Sequence, residues 1–386
     1  MRRQITTHSQ IDPFSEALGR IQRQLDNSPL EQVAAGLKDV IAQRRCAVEA
    51  GRGDNGQSLV LAAEIDRILD SLPTSFGERF HFDSQLINVI YKTVLPTVTD
   101  LPFPLVPRAS GDWGLQTVRV FTPGKLLECS VHVFHFPGAD DIAHVDLLDY
   151  AFLAHEFGHQ LIRISPRSFQ TDFGAELTQF INEARLRSIT DRGQARQRAQ
   201  EVLTSISRYW QPIDSQHDWA HELAIDVIAL WLCGPAYAEA FKDYLERSKI
   251  DAHQISDGHP PYAVRVTGLT IASEVMGVSK YVSGIRALSD SWDLPAMKGD
   301  RVANYYGLTD KRIIKSVVSC AIRTCQKLGL TQCTDETLSR IREALLTGLK
   351  PAPNLDLIIA AWIQFEELGQ EKYQEWERQA ICALLR

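Results

Sequence analysis

The segment Ala154-His155-Glu156-Phe157-Gly158-His159 constrains this chain more than any other. It sits in a run that reads as a buried helix. Leu147, Leu148, Tyr150, Ala151, Phe152 and Leu153 precede it, and Leu161, Ile162 and Ile164 follow. Residues i and i+4 of a helix share one face. His155 and His159 therefore present two imidazoles to one point, with Glu156 beside the first. A carboxylate in an apolar run is costly unless something compensates it. A metal ion held by the two histidines would do so. The bland alternative is an ordinary amphipathic helix that exposes these residues by chance.

His-Glu-x-x-His on a helix is the pattern of zinc peptidases, in which the Glu takes a proton from the metal-activated water. A catalytic zinc takes three protein ligands and keeps a fourth position for water. The expected third ligand is Glu222, in Trp219-Ala220-His221-Glu222-Leu223-Ala224-Ile225-Asp226. Val227, Ile228, Ala229, Leu230, Trp231 and Leu232 follow, so this helix has little solvated face and its carboxylates need partners. Asp226, one turn beyond Glu222, is expected to accept the free N–H of a ligating histidine and so set its tautomer. The rival third ligands are Glu183, then Glu176, His217 and His221.

These residues resemble a known family. Phe152 to His159 is similar to the Leu-Ala-His-Glu-x-Gly-His core of gluzincin peptidases of the HtpX and CAAX prenyl protease type. Glu222-x-x-x-Asp226 resembles that family's Glu-x-x-x-Asp, where Glu is the third zinc ligand. Phe134-His135-Phe136-Pro137-Gly138 is similar to its Phe-x-x-Pro-Gly stretch beside the substrate cleft, although Ala139 stands where a second Gly is usual. His259-Pro260 followed by Arg265 resembles its His-Pro and downstream Arg. The pieces fall in the family's order between about Leu115 and Leu269; the membrane spans of its best-known members have no counterpart. The resemblance implies a zincin core, one zinc ion, and His259, Arg265 or Tyr262 supporting an oxyanion.

The net charge of −7 argues against general nucleic-acid binding. No apolar run reaches the roughly 18 residues of a membrane span. Met1-Arg2-Arg3 has no apolar segment behind it, so no signal peptide is expected and the location is read as cytoplasmic. The seven cysteines are odd in number and lack Cys-x-x-Cys, which favours reduced thiols. Cys320, Cys325 and Cys333 form a weaker candidate for a second metal site.

Apolar residues at three and four spacing predict helices over 14–25, 30–48, 59–72 and 84–95. Alternation predicts strands over 115–122 and 129–136, joined at Pro123-Gly124-Lys125. His132, His135 and His144 lack ligand spacing. Helices follow over 147–164, 175–209, 219–231 and 236–248, then over 313–328, 334–346, 355–368 and 374–385. Six arginines between Arg185 and Arg208 read as a solvated face or as a site for an acidic partner.

The expected fold is mainly α with a small β element: a zincin-like metallopeptidase domain over 84–275, flanked by helical regions over 1–83 and 276–386. The expected activity is a zinc-dependent endopeptidase, narrowly specific or regulated, with Glu156 as general base. Its partners would be a protein or peptide substrate and a regulatory protein on the helical flanks. A zinc-stabilised scaffold or regulatory binding protein in a stress or defence pathway is the alternative.

Overall fold

The structure is a computed structural model that describes residues 14–25, 31–50, 55–70, 86, 105–110, 114–122, 125–137, 146–164, 166–188, 192–211, 218–248, 251–292, 305–349, 351–352 and 354–384. These residues are mostly helical. None of their helices is long and apolar enough to cross a membrane. They group into two compact units, one holding the described residues up to 137 and the other those from 146 to 384. The strands group with the N-terminal helices, and the residues beyond 275 group with the helices that carry His155 and Glu222.

In the first unit, helices α1 (Ser15–Leu25), α2 (Glu31–Glu49) and α3 (Asn55–Asp70) share a core of Phe14, Ile21, Leu25, Leu37, Ile41, Leu61, Ile65 and Leu69. Backbone pairing joins β1 (Leu105–Ser110), β2 (Gly114–Thr122) and β3 (Lys125–Pro137) in the order β1-β3-β2. The β2–β3 pair is antiparallel, with Val118 opposite Val131, and β1 runs parallel to β3.

The second unit is built around one helix, α7 (Trp219–Cys233), every residue of which is buried. Its sequence has no polar face to turn to water, so it must be covered on all sides. Burying each Leu, Ile or Val side chain is worth about 1.5–3 kcal/mol. Two buried carboxylates each cost several kcal/mol in desolvation, so Glu222 and Asp226 could cancel much of that gain if left uncompensated. Asp218 caps the helix, accepting the His221 N–H at 2.9 Å. Gly234, at φ 56°, ends it, and Pro235 opens α8 (Pro235–Ser248).

The helices packed most extensively on α7 are α4 (Phe152–Ile164), α9 (Tyr262–Val275) and α11 (Lys311–Lys327). A short 3-10 turn, Leu147–Ala151, leads into α4 and is capped by Asp146. Pro166 then opens α5 (Pro166–Arg187), and α6 (Gln194–Trp210) follows. Glycine permits the closest approaches. A Cβ on Gly158 would lie 2.8 Å from Ile225 Cγ2, and one on Gly268 would lie 2.4 Å from Leu223 Cδ1.

After α9 comes the short α10 (Ser283–Asp290), and the C-terminal helices are α12 (Asp335–Leu346), α13 (Leu355–Leu368) and α14 (Gln370–Leu384). They are pinned to the same unit. Trp231 Nε1 donates to the Leu330 carbonyl at 2.9 Å, the Cys333 N–H to Trp231 O at 2.8 Å, and the Leu147 N–H to Glu377 Oε1 at 2.6 Å. Replacing Gly158 by Val should cost about 1–3 kcal/mol through overpacking against Ile225. A urea midpoint equal to wild type would contradict the close α4–α7 contact.

Candidate metal centre

Helices α4 and α7 bring the predicted residues together. His155 Nε2 lies 3.8 Å from Glu222 Oε2, and His159 Nε2 lies 3.8 Å from Glu222 Oε1. The imidazoles, one turn apart on α4, stand nearly perpendicular, with centroids 5.3 Å apart. Glu156 is half-buried beside them. One nitrogen of each histidine and one Glu156 oxygen lie within 4.8 Å of one another.

This donor set suits a divalent ion. Zinc bonds of about 2.0–2.1 Å in a tetrahedron separate ligand atoms by about 3.4 Å, so the observed 3.8 Å requires only a small contraction. Glu156, although close, is the neighbour of a histidine on α4, whereas Glu222 reaches both histidines from a second helix. Glu222 could therefore serve as a third ligand, with Glu156 beside the site. The Glu222 carboxylate is 1 % exposed, so a charge there lies in a low-dielectric setting.

Behind His155 lies a buried polar layer. Asp226 Oδ1 is 3.0 Å from His155 Nδ1. Arg265 grips the same carboxylate twice, Nε to Oδ2 at 2.7 Å and Nη2 to Oδ1 at 2.6 Å. The guanidinium also stacks over Phe241, 4.7 Å from the ring centroid. Burial alone would push the Asp226 carboxyl up; the Arg265 charge and hydrogen bonds, with the His155 contact, reverse this and hold it well below the ordinary carboxylate range. Burial likewise disfavours the His155 imidazolium, but the Asp226 hydrogen bond and charge outweigh it and raise the histidine above its ordinary value. An ionised Asp226 makes Nδ1 the protonated nitrogen of a neutral His155 and turns the Nε2 lone pair toward Glu222.

His259 also joins the cluster. Its Nε2 is 3.7 Å from Glu222 Oε2, and its side chain is 56 % exposed. Its backbone N–H donates to Ser256 Oγ at 3.2 Å. Tyr237 on α8, which no sequence motif marks, joins this layer as well. Its hydroxyl donates to Asp226 Oδ1 at 2.5 Å and lies 3.3 Å from His155 Nδ1.

The rival ligands fall elsewhere. Glu183 is largely exposed on α5, accepting from Gln179 at 3.0 Å and from Arg187 at 3.5 Å. Glu176 binds Ser316 and Arg323. His221 Nδ1 contacts Asp218 at 2.5 Å, at the capped start of α7. His217 and His144 lie outside the described residues, as do the side chains of His132 and His135. Among the described residues, the cluster of side chains that could hold a metal ion contains no cysteine. Burial pushes the Cys320 and Cys333 thiols up to about 12, which does not favour thiolate ligands.

No protein-family model, curated protein or solved structure matches the chain.

Asp226→Asn would leave the Arg265 charge buried without its counter-ion and should cost about 3–5 kcal/mol at neutral pH. Because the Asp226 pKa is depressed on folding, its contribution is present above the unfolded value and is lost as pH falls toward the folded one. The stability gap between wild type and Asp226→Asn should therefore narrow below about pH 4. A gap that widens with acid, measured by chemical denaturation, would contradict this.

Proposed function

We propose that this chain is a zinc-dependent endopeptidase of the gluzincin type. The observation that carries the reading is the convergence of His155 and His159 on the two oxygens of the buried Glu222, with Glu156 alongside. A divalent ion held by His155, His159 and Glu222 would supply a Lewis acid for a peptide carbonyl and acidify water. Two imidazoles and a carboxylate suit zinc, and other divalent ions also accept them.

The chain's own groups do the rest. Glu156 accepts the proton of the attacking water and passes it to the leaving amine. Asp226 holds the His155 tautomer. Arg265 acts through Asp226, because its Nε and Nη2 are both bonded there; this replaces an oxyanion role for it. His259, on an exposed loop next to Glu222, can donate to a carbonyl oxygen as charge develops. The same reading includes a zincin-like core with a small β element. It also includes a cytoplasmic location, and specificity or regulation through a protein partner on the helical flanks.

A second reading is favoured by His259. With His155, His159 and Glu222 it would make four protein donors, and a site with four is structural rather than catalytic. The protein would then be a zinc-stabilised scaffold.

Purified wild type should carry about one zinc per chain, lost in both His155→Ala and Glu222→Ala. Zinc retained by Glu222→Ala would move the third ligand elsewhere. Glu156→Gln should keep the metal and lower peptide cleavage by about 10²- to 10⁴-fold; cleavage that survives would sink the mechanism. His259→Ala separates the two readings. Metal kept with cleavage reduced favours the enzyme, and metal lost favours the scaffold.

A further inference from the structure

We propose that Tyr237 is a positioning residue of this site, fixing through Asp226 the ring nitrogen that His155 presents to the metal. The inference rests on the metal-centre reading above. It starts from the chain reversal at Gly234-Pro235, which brings Tyr237 back beneath Asp226.

The Tyr237 ring is fully buried. It stacks nearly parallel to the His155 ring, with centroids 6.3 Å apart and planes 12° apart. Phe152 meets it edge-on at 5.9 Å, and Phe241 stacks on it at 6.0 Å. These apolar contacts hold the ring, so its hydroxyl has little freedom to choose another partner.

Phenol, carboxylate and imidazole then share two protons in one arrangement. Tyr237 Oη donates to Asp226 Oδ1 at 2.5 Å. A phenol keeps its proton at neutral pH, so Tyr237 is the donor in this contact. An oxygen that donates one proton still has lone pairs. Tyr237 Oη, 3.3 Å from His155 Nδ1, can therefore accept from the same N–H that points at Asp226 Oδ1. The opposite tautomer would set a bare Nδ1 lone pair against an ionised carboxylate at 3.0 Å. Tyr237 thus completes the Asp226 shell that Arg265 begins, and gives the His155 N–H a second acceptor. Outer-shell groups of this kind change metal affinity by about 10- to 100-fold when removed.

The test uses full-length, metal-free protein titrated with Co²⁺ and read by visible absorption, with zinc affinity measured against a chelator. Wild type, Tyr237→Phe and Tyr305→Phe are compared. Phe keeps the ring packing and removes only the hydroxyl. Tyr305 is the matched control, a buried tyrosine whose hydroxyl meets a different histidine, His253 Nδ1, at 2.6 Å.

The expected result is a Tyr237→Phe protein with a near wild-type melting temperature without metal. Its Co²⁺ and Zn²⁺ binding should be weaker by about 10- to 100-fold, and its Co²⁺ spectrum should be shifted. Tyr305→Phe should leave affinity and spectrum unmoved. Unchanged affinity and spectrum in Tyr237→Phe would overturn the proposal while leaving the metal centre intact. Equal losses in both variants would also overturn it, since they would report a general loosening of the core. A wild type that binds neither ion would overturn the metal-centre reading itself, and this inference with it.

Discussion

Two carboxylates on a helix with no wet face are the constraint from which the rest follows. Glu222 and Asp226 sit one turn apart on α7, each at most 1 % exposed. A carboxylate in such a place must be neutralised by protonation, ion pairing or a metal. The chain treats the two differently. Asp226 receives a guanidinium, a phenol and an imidazole N–H, and stays ionised. Glu222 faces imidazole nitrogens from three histidines at 3.7–3.8 Å. Asp226 is thus engaged by Arg265, Tyr237 and His155, and Glu222 is directed at a point where nitrogen donors converge.

Small residues make this convergence possible. His155 reaches both carboxylates only because α4 lies close against α7, and Gly158 faces Ile225 at the contact. Arg265 reaches Asp226 because α9 lies equally close, with Gly268 facing Leu223. A glycine inside a helix costs about 1 kcal/mol in propensity. Here that cost is offset by helix contacts that bring polar groups from separate elements into hydrogen-bonding range.

Much of this was legible in the sequence, for identifiable reasons. Helical spacing alone puts His155 and His159 on one face, and the apolar residues around Glu222 and Asp226 mark both carboxylates as needing partners. Other features depend on contacts that periodicity does not encode. Tyr237 reads as an ordinary core aromatic; only the reversal at Gly234-Pro235, together with an Asp eleven residues earlier, hints at its hydroxyl's target. Arg265 is recognisable as special, but its engagement with Asp226 is set by the packing of α9 on α7. The residues beyond 275 look like a separate helical region in sequence, yet α11 and, less extensively, α13 pack against α7.

That last point bears on how the protein can be dissected. Glu377, near the end of the chain, accepts the Leu147 N–H at the entrance to the His155 helix, and Tyr373 donates to Asp146 at the same place. Within the second unit, α14 therefore acts as a clasp on the first turn of the segment that carries the histidines. A fragment ending near residue 275 would be an opened core, with α7 stripped on one flank and prone to associate through that exposed surface. Any control exerted through the C-terminal helices would then be inseparable from the integrity of the site.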